Sequence, residues 1–297
     1  MKKTLLMLMF ATFASNAQTN LLTENFDTFA NLATAGWTMT NQSSPAGASS
    51  WAQGGGTAFA TGGYNGGATS FALCNFNSTT GAGTISNWLM TPVVSLKDGD
   101  VIKFYSRAGG TGTGTVYADR LELRLSTTGA ATVAPSGGSA GVGDYTTLAL
   151  SINPDLTTTG YPFTWTQYTY TVTGLPTATD CKIAFRYFVT SGGPSGDNSN
   201  IVGIDALSVD RTLGTNEFFA KNFSVYPNPA KDNVTINSNS TSLVNDVQVV
   251  DFNGRVVKSI KVNATSTQIN ISDLAAGVYM LKATSDLGSG TAKIIKN

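Results

Sequence analysis

The chain contains no histidine among its 297 residues. That absence excludes Ser/His/Asp and Cys/His nucleophile systems and any zinc site that depends on imidazole. Charge is also scarce, at 12%, about half the usual share of a globular chain. The 18 basic and 18 acidic residues balance, so the chain lacks the basic excess of an electrostatic nucleic-acid binder, and no nucleic-acid partner is expected. No apolar run is long enough to span a bilayer, so no transmembrane segment is expected. Neither Gly-x-Gly-x-x-Gly nor the Gly-Lys pair of a P-loop occurs. Residues 28–96 hold no acid or base apart from Tyr64 and Cys74. Polarity comes instead from 42 threonines and 27 serines, while 41% hydrophobic residues suffice for packed cores. The length suggests two domains.

Residues 1–17 (MKKTLLMLMFATFASNA) read as a secretory signal peptide. Lys2 and Lys3 form the basic region, 5–14 the apolar stretch, and Ser15-Asn16-Ala17 the small-residue cleavage site. Export places the two cysteines where disulfides persist. Cys74 and Cys181 either pair or are both buried apolar residues; two thiolates alone do not close a zinc site.

Period-two alternation recurs along the chain and helical periodicity hardly at all. In 120–125 (RLELRL), Leu121, Leu123 and Leu125 face one way, and Arg120, Glu122 and Arg124 are expected on a solvent face. In 182–189 (KIAFRYFV), Ile183, Phe185, Tyr187 and Val189 are expected inward, with Lys182 and Arg186 outward. Further strands are expected at 101–107, 163–172 and 202–209. Gly/Ser/Thr-rich loops join them, which implies an all-β fold of antiparallel sheets packed as a jelly-roll sandwich over 18–211. Residues 212–220 read as a linker. Residues 221–297 hold six or seven short strands, and Asn253-Gly254 reads as a type I′ hairpin turn, so this segment is expected to be a small immunoglobulin-like sandwich. Residues 18–217 carry 8 basic and 13 acidic groups, net −5, whereas 218–297 carry 8 and 5, net +3.

The tail resembles the type A C-terminal sorting domain of type IX secretion. The resemblance rests on 223–230 (FSVYPNPA), 249–257 (VVDFNGRVV), 274–279 (LAAGVY) and the basic end 293–296 (KIIK). Within these motifs Tyr226, Pro227, Asn228, Pro229, Gly254, Gly277, Tyr279, Lys293 and Lys296 are assigned to the sorting signal. The resemblance implies passage through the periplasm, recognition by the outer-membrane translocon and sorting machinery, and removal of the tail. The product is then expected at the outer cell surface or outside the cell.

The first domain resembles the choice-of-anchor J family, related to cleaved-adhesin and MAM-type jelly rolls. The matching residues are 24–27 (ENFD), Gly36-Trp37, 85–92 (ISNWLMTP), the strand 101–107, 184–187 (AFRY) and 203–209 (GIDALSV). Such domains sit in adhesins, in binding modules and beside catalytic domains, so the fold does not fix the function. Asp205 is expected to share a face with Gly203, Leu207 and Val209. The resemblance implies a structural calcium held by Glu24, Asp27 and Asp205, hard oxygen donors of the kind calcium prefers.

Gly192–Asn200 (GGPSGDNSN) reads as a surface turn. Gly137–Gly141 matches Gly-x-Ser-x-Gly but lacks the strand, helix and histidine of a hydrolase elbow, and reads as a loop. Trp51, Tyr64, Tyr117 and Tyr161 lie in Gly/Thr-rich stretches, where rings stack on sugars, so they are the candidate contacts to a glycan or other surface ligand. A non-enzymatic, adhesin-like binding protein is the expected function. A carboxylate-pair glycosidase and a structural surface-layer component are the alternatives.

Overall fold

A computed structural model describes residues 18–55, 59 and 62–297, so the expected signal peptide lies outside the described residues. Asn20–Arg211 form one compact unit, the passenger, and Thr212–Asn297 belong to the other, the tail.

The passenger is built from two antiparallel sheets. One runs Thr166–Thr171, Val101–Ala108, Ile201–Thr212, Ala72–Asn75, Ala52–Gln53, with Gln18–Glu24 also paired to Ile201–Thr212. The other runs Thr147–Ile152, Leu121–Ser126, Thr179–Gly192, Thr79–Met90, Thr38–Asn41. Alternation sets what they enclose: Leu121, Leu123, Ile183, Phe185, Tyr187 and Val189 meet Ile102, Phe104, Val202 and Ile204 in one core. Phe104 and Phe185 touch edge to face at 5.0 Å. Each such side chain, fully buried, contributes about 1.5–3 kcal/mol.

The outer faces are covered too, and here the alternation misleads. The outer face of the second sheet carries Trp88, Met90 and Ala184, covered by Val142 and Tyr145 from the irregular segment 129–146. Glu122 and Arg186, expected in solvent, are therefore buried at 5% and 2% exposure. On the first sheet, Phe59, Phe71 and Trp165 pack together with ring centroids 4.8–5.7 Å apart. Gly203 lies beneath them, since a Cβ there would meet Phe59 and Trp165 at 3.0 Å. Phe59 and Phe71 come from the stretch without charges. Polar side chains lacking charge let that stretch pack against the sheet without stranding an ion.

Asp205 is buried, but not beside Leu207 and Val209. A bulge interrupts the register between Asp205 and Ser208, with Ala206 at φ +48°. One extra residue flips the alternation. Val202, Ile204, Leu207 and Val209 line the core, while Gly203 and Asp205 face the other way. The Cys74–Cys181 disulfide is not formed: both thiols are free and buried. Cys74 sits 3.2 Å from Ser78 Oγ, and Cys181 Sγ donates to Thr179 O at 3.3 Å. Burial pushes the Cys74 thiol up to about 12, so it behaves as a small apolar side chain.

The tail packs a three-stranded sheet (Phe223–Tyr226, Asn233–Ser238, Ser266–Asn270) with a four-stranded one. The latter runs Val256–Ala264, Val244–Val250, Gly277–Ser285, Gly288–Lys296. The expected linker is instead mostly a helix, Thr215–Asn222, that belongs to this unit. Phe218 and Phe219 are 2% and 4% exposed and join the tail core with Phe223. Phe219 lies against Gly290, where a Cβ would come within 2.6 Å of its backbone nitrogen. The Asn253-Gly254 turn is not type I′, because of the two only Gly254 has positive φ, at +78°. Asp251 closes it instead, its Oδ1 accepting from Asn253 N and Arg255 N at 3.0 Å.

Candidate functional site

A small concavity on the passenger, about 150 Å³, takes in one of the four candidate aromatics and is lined by Phe76, Tyr117, Gly193, Pro194, Gly196, Ser199 and Asn200. Two irregular segments build it. Tyr117 precedes the strand Leu121–Ser126 and is 42% exposed. Facing it is the Gly/Ser/Asn turn between the strands Thr179–Gly192 and Ile201–Thr212. That turn is pinned from behind: Gly193 N donates to Ser199 Oγ, and Ser199 N to Ala118 O, each at 2.8 Å. Asn200 N donates to Asp119 Oδ1 at 2.8 Å, and Asn200 O accepts from Phe76 N. Two rings beside backbone and amide groups suit a ligand with both apolar faces and hydroxyls.

Asp119 anchors this turn from inside the core and was not among the candidates. It is 1% exposed, and Tyr187 OH also donates to its Oδ1, at 2.5 Å. Its Oδ2 has no hydrogen-bond partner among the described residues. Burial pushes the carboxyl up to about 7, against the lowering effect of its hydrogen bonds. A signal was present: Asp119 has the parity of Leu121 and Leu123 and so faces inward with them.

Of the four candidate aromatics, Trp51 and Tyr161 are each 3% exposed. Trp51 Nε1 donates to Asn87 O at 3.2 Å, and the Tyr161 hydroxyl sits 2.6 Å from Ser106 Oγ. Both are core residues and cannot meet a ligand. Tyr64 is 48% exposed and stacks on Tyr105, centroids 3.4 Å apart. It is held there through Asp205, whose Oδ2 accepts from Asn65 N at 2.9 Å and whose Oδ1 accepts from Ala206 N at 2.6 Å.

The three expected calcium ligands do not form one cluster. Among the described residues no group of three metal-binding side chains gathers. Glu24 Oε1 accepts from Phe26 N at 2.7 Å. Asp27 reaches Asp205 only as the weakest of its electrostatic influences. Burial pushes Asp205 up to about 6, with Asp27 adding repulsion. Asp27 Oδ1 also lies against Gly66, where a Cβ would come within 2.7 Å, at a φ of +85° that itself favours glycine. The described residues do not gather the three-carboxylate set.

Glu122, one of the three glutamates that a carboxylate-pair reading could draw on, is occupied. Its Oε2 accepts from Arg124 Nε at 2.7 Å and Arg186 Nη1 at 3.0 Å. Arg186 also stacks over Phe188 and Trp88, at 3.5 and 4.9 Å, and donates to Ser139 O. The Gly-x-Ser-x-Gly segment thus covers an internal ion cluster.

In the tail, the motif residues divide by task. Asn228 stitches the chain to the edge of the four-stranded sheet, its Nδ2 donating to Lys293 O and its Oδ1 accepting from Ile295 N, both at 2.9 Å. The Tyr226 hydroxyl accepts from Asn237 Nδ2 at 2.8 Å. Pro227 and Pro229 flank Asn228 and fix the turn around it. Tyr279 OH donates to Ala275 O at 2.9 Å, over the turn that leads into Gly277. Lys296 is 9% exposed. Lys293 lines a surface groove with Phe252, Val278, Tyr279 and Met280.

No curated protein matches the chain. Among solved structures it is similar to the K1 cleaved adhesin domain of Lys-gingipain from Porphyromonas gingivalis W83. The identity is 21% and the TM-score 0.43, covering 66% of this chain and 99% of that one. The K3 cleaved adhesin domain of the same protein matches at 18% and 0.39, covering 65% and 100%. The Endo-D glycoside hydrolase domain from Streptococcus pneumoniae R6 matches at 12% and 0.32, covering 87% and 37%. Residues 224–297 match the family model of the secretion system C-terminal sorting domain. The C-terminal unit is a sorting domain that directs the chain out of the cell by type IX secretion.

Proposed function

We propose that this chain is an adhesin-like binding protein of the cell surface or medium, whose passenger recognises a glycan at the Tyr117 cleft. The observation that carries this reading is the exposed Tyr117 ring over a concavity backed by the pinned turn Gly193–Asn200. A sugar ring stacks on an aromatic face while its hydroxyls exchange hydrogen bonds with backbone and amide groups. Binding rather than catalysis is favoured because the Glu122 carboxylate is committed to two arginines. A glycan array probed with the full chain and with Tyr117→Ala tests the site, and incubation of any hit tests for cleavage. Hydrolysis of a bound glycan would replace this reading with the enzymatic one.

Delivery by the tail predicts that deleting residues 223–297 leaves the protein in the periplasm; normal display of that truncation would refute it. Because the helix Thr215–Asn222 packs into the tail core, removal of the tail is expected to cut before that helix. Asp27 and Asp205 are further proposed to share a structural calcium with backbone carbonyls, a hard-ligand arrangement calcium accepts. The supporting observation is that Asp205 feels the Asp27 charge while no cationic side chain is paired to either among the described residues. Addition of calcium is expected to raise the melting temperature and chelator to lower it; an unchanged value removes the site.

A further inference from the structure

The tail presents an apolar surface that its own fold does not use. The hairpin tip carries Phe252 at 83% exposure, and Met280 on the adjoining sheet face is 38% exposed. With Val278, Tyr279 and Lys293 they line an apolar groove of about 230 Å³. A second concavity of about 460 Å³ shares Met280 and Lys293 and continues toward the helix residues Asn216, Phe219 and Ala220. Leaving a ring such as Phe252 in water forgoes the gain that burying it would bring. Asp251 holds the turn that displays it, through Arg255 as well as the backbone, so little further order is lost on docking.

We infer that this groove is the docking surface through which the tail is recognised. Its occupant is an extended segment of a secretion-machinery protein that carries apolar side chains flanked by carboxylates. This rests on the sorting function of the tail. Three observations select the occupant. The groove is elongated, running from the hairpin to the helix, and so suits an extended chain rather than a single knob. The only charged lining residue is Lys293, whose Nζ has no partner among the described residues. Lys282, two residues beyond Met280 on the same strand, adds a second cation on that face, within a segment, 218–297, of net charge +3. Strand addition at the sheet edge is disfavoured on both sides. Asn228 and Ala230 bond to the edge strand Gly288–Lys296, and the opposite edge strand Val256–Ala264 carries Lys258 and Lys261. The face is what remains for recognition. A bilayer is the weaker fit, since a concave groove buries side chains offered to it better than it inserts into lipid.

The test uses the full chain in cells that secrete it, with Phe252→Ala, Met280→Lys, Lys293→Glu and the 223–297 deletion, measuring surface plus medium against periplasm. Each point variant is expected to lower delivery about tenfold or more, the range of an interface anchor, with an unchanged melting temperature for the purified protein. If the deletion is retained in the periplasm but the folded point variants leave at the normal rate, the groove proposal falls and the sorting function stands. If the deletion itself is exported, the sorting function falls. Binding of the full chain to phosphatidylglycerol vesicles, lost in the same variants, would make lipid the occupant and overturn the protein partner.

Discussion

The passenger and the tail use charge in opposite ways. The passenger has few ions and hides several of them. Glu122, Arg186, Asp100, Asp119 and Asp205 are each no more than 5% exposed, and Asp100 takes both Nε and Nη2 of Arg211 at 2.7–2.8 Å. The tail is denser in charge but displays it: in its ion pairs Arg255 is 78% exposed, Lys261 88% and Asp273 64%. Buried pairs are costly to break because the survivor is left without water, whereas exposed pairs are worth little. Charge in the passenger therefore positions segments over the sheets, and charge in the tail serves solubility and encounter.

The largest effect should come from Glu122→Ala, which strands buried Arg186. Loss of about 3–5 kcal/mol is expected in urea unfolding of the passenger. A loss below about 1 kcal/mol would end the contrast between the two regions. Phe219→Ala comes next, removing a ring from the tail core at about 3 kcal/mol. Two unfolding probes, one in each unit, should show only the tail transition moving. If it does not move, the helix is a linker after all.

Asp119→Asn sharpens the contrast through pH. The folded carboxyl holds its proton up to about 7, while the unfolded chain releases it near about 4. The stability linked to this group is therefore fully present below about 4 and is lost as pH rises through about 7. Asparagine keeps the shape without titrating, so the fall in stability between those limits should flatten. Asp205, pushed up to about 6, titrates in the same sense and leaves a residual slope. An unaltered profile would show that Asp119 is not titrating in the core. The smallest effect is expected in the tail: Asp273→Ala removes an exposed partner of Lys258 and should leave the urea midpoint where it was.

Legibility followed regularity. Alternation in 182–189 identified Ile183, Phe185, Tyr187 and Val189 as core residues, because an inner sheet face depends on local period alone. It failed for Arg186 and Glu122 because their cover comes from 129–146, a segment with no period to read. It failed for Asp205 because the bulge at Ala206 has no mark in the sequence. For the proposed ligand site, Tyr117 was legible only as an exposed loop aromatic, while Trp51 and Tyr161 lie under segments whose path only the fold determines. The uncharged stretch 28–96 was itself a trace: Trp37, Trp51, Phe59 and Phe71 are all buried, and a segment packed among neutral surfaces has little use for ions.

The most direct test of the account is glycan binding by the full chain, compared with Tyr117→Ala at equal melting temperature. The expected result is a glycan retained by the parent protein and lost, by about tenfold or more, in the variant. Absence of any bound glycan, or equal binding by the two proteins, would contradict it.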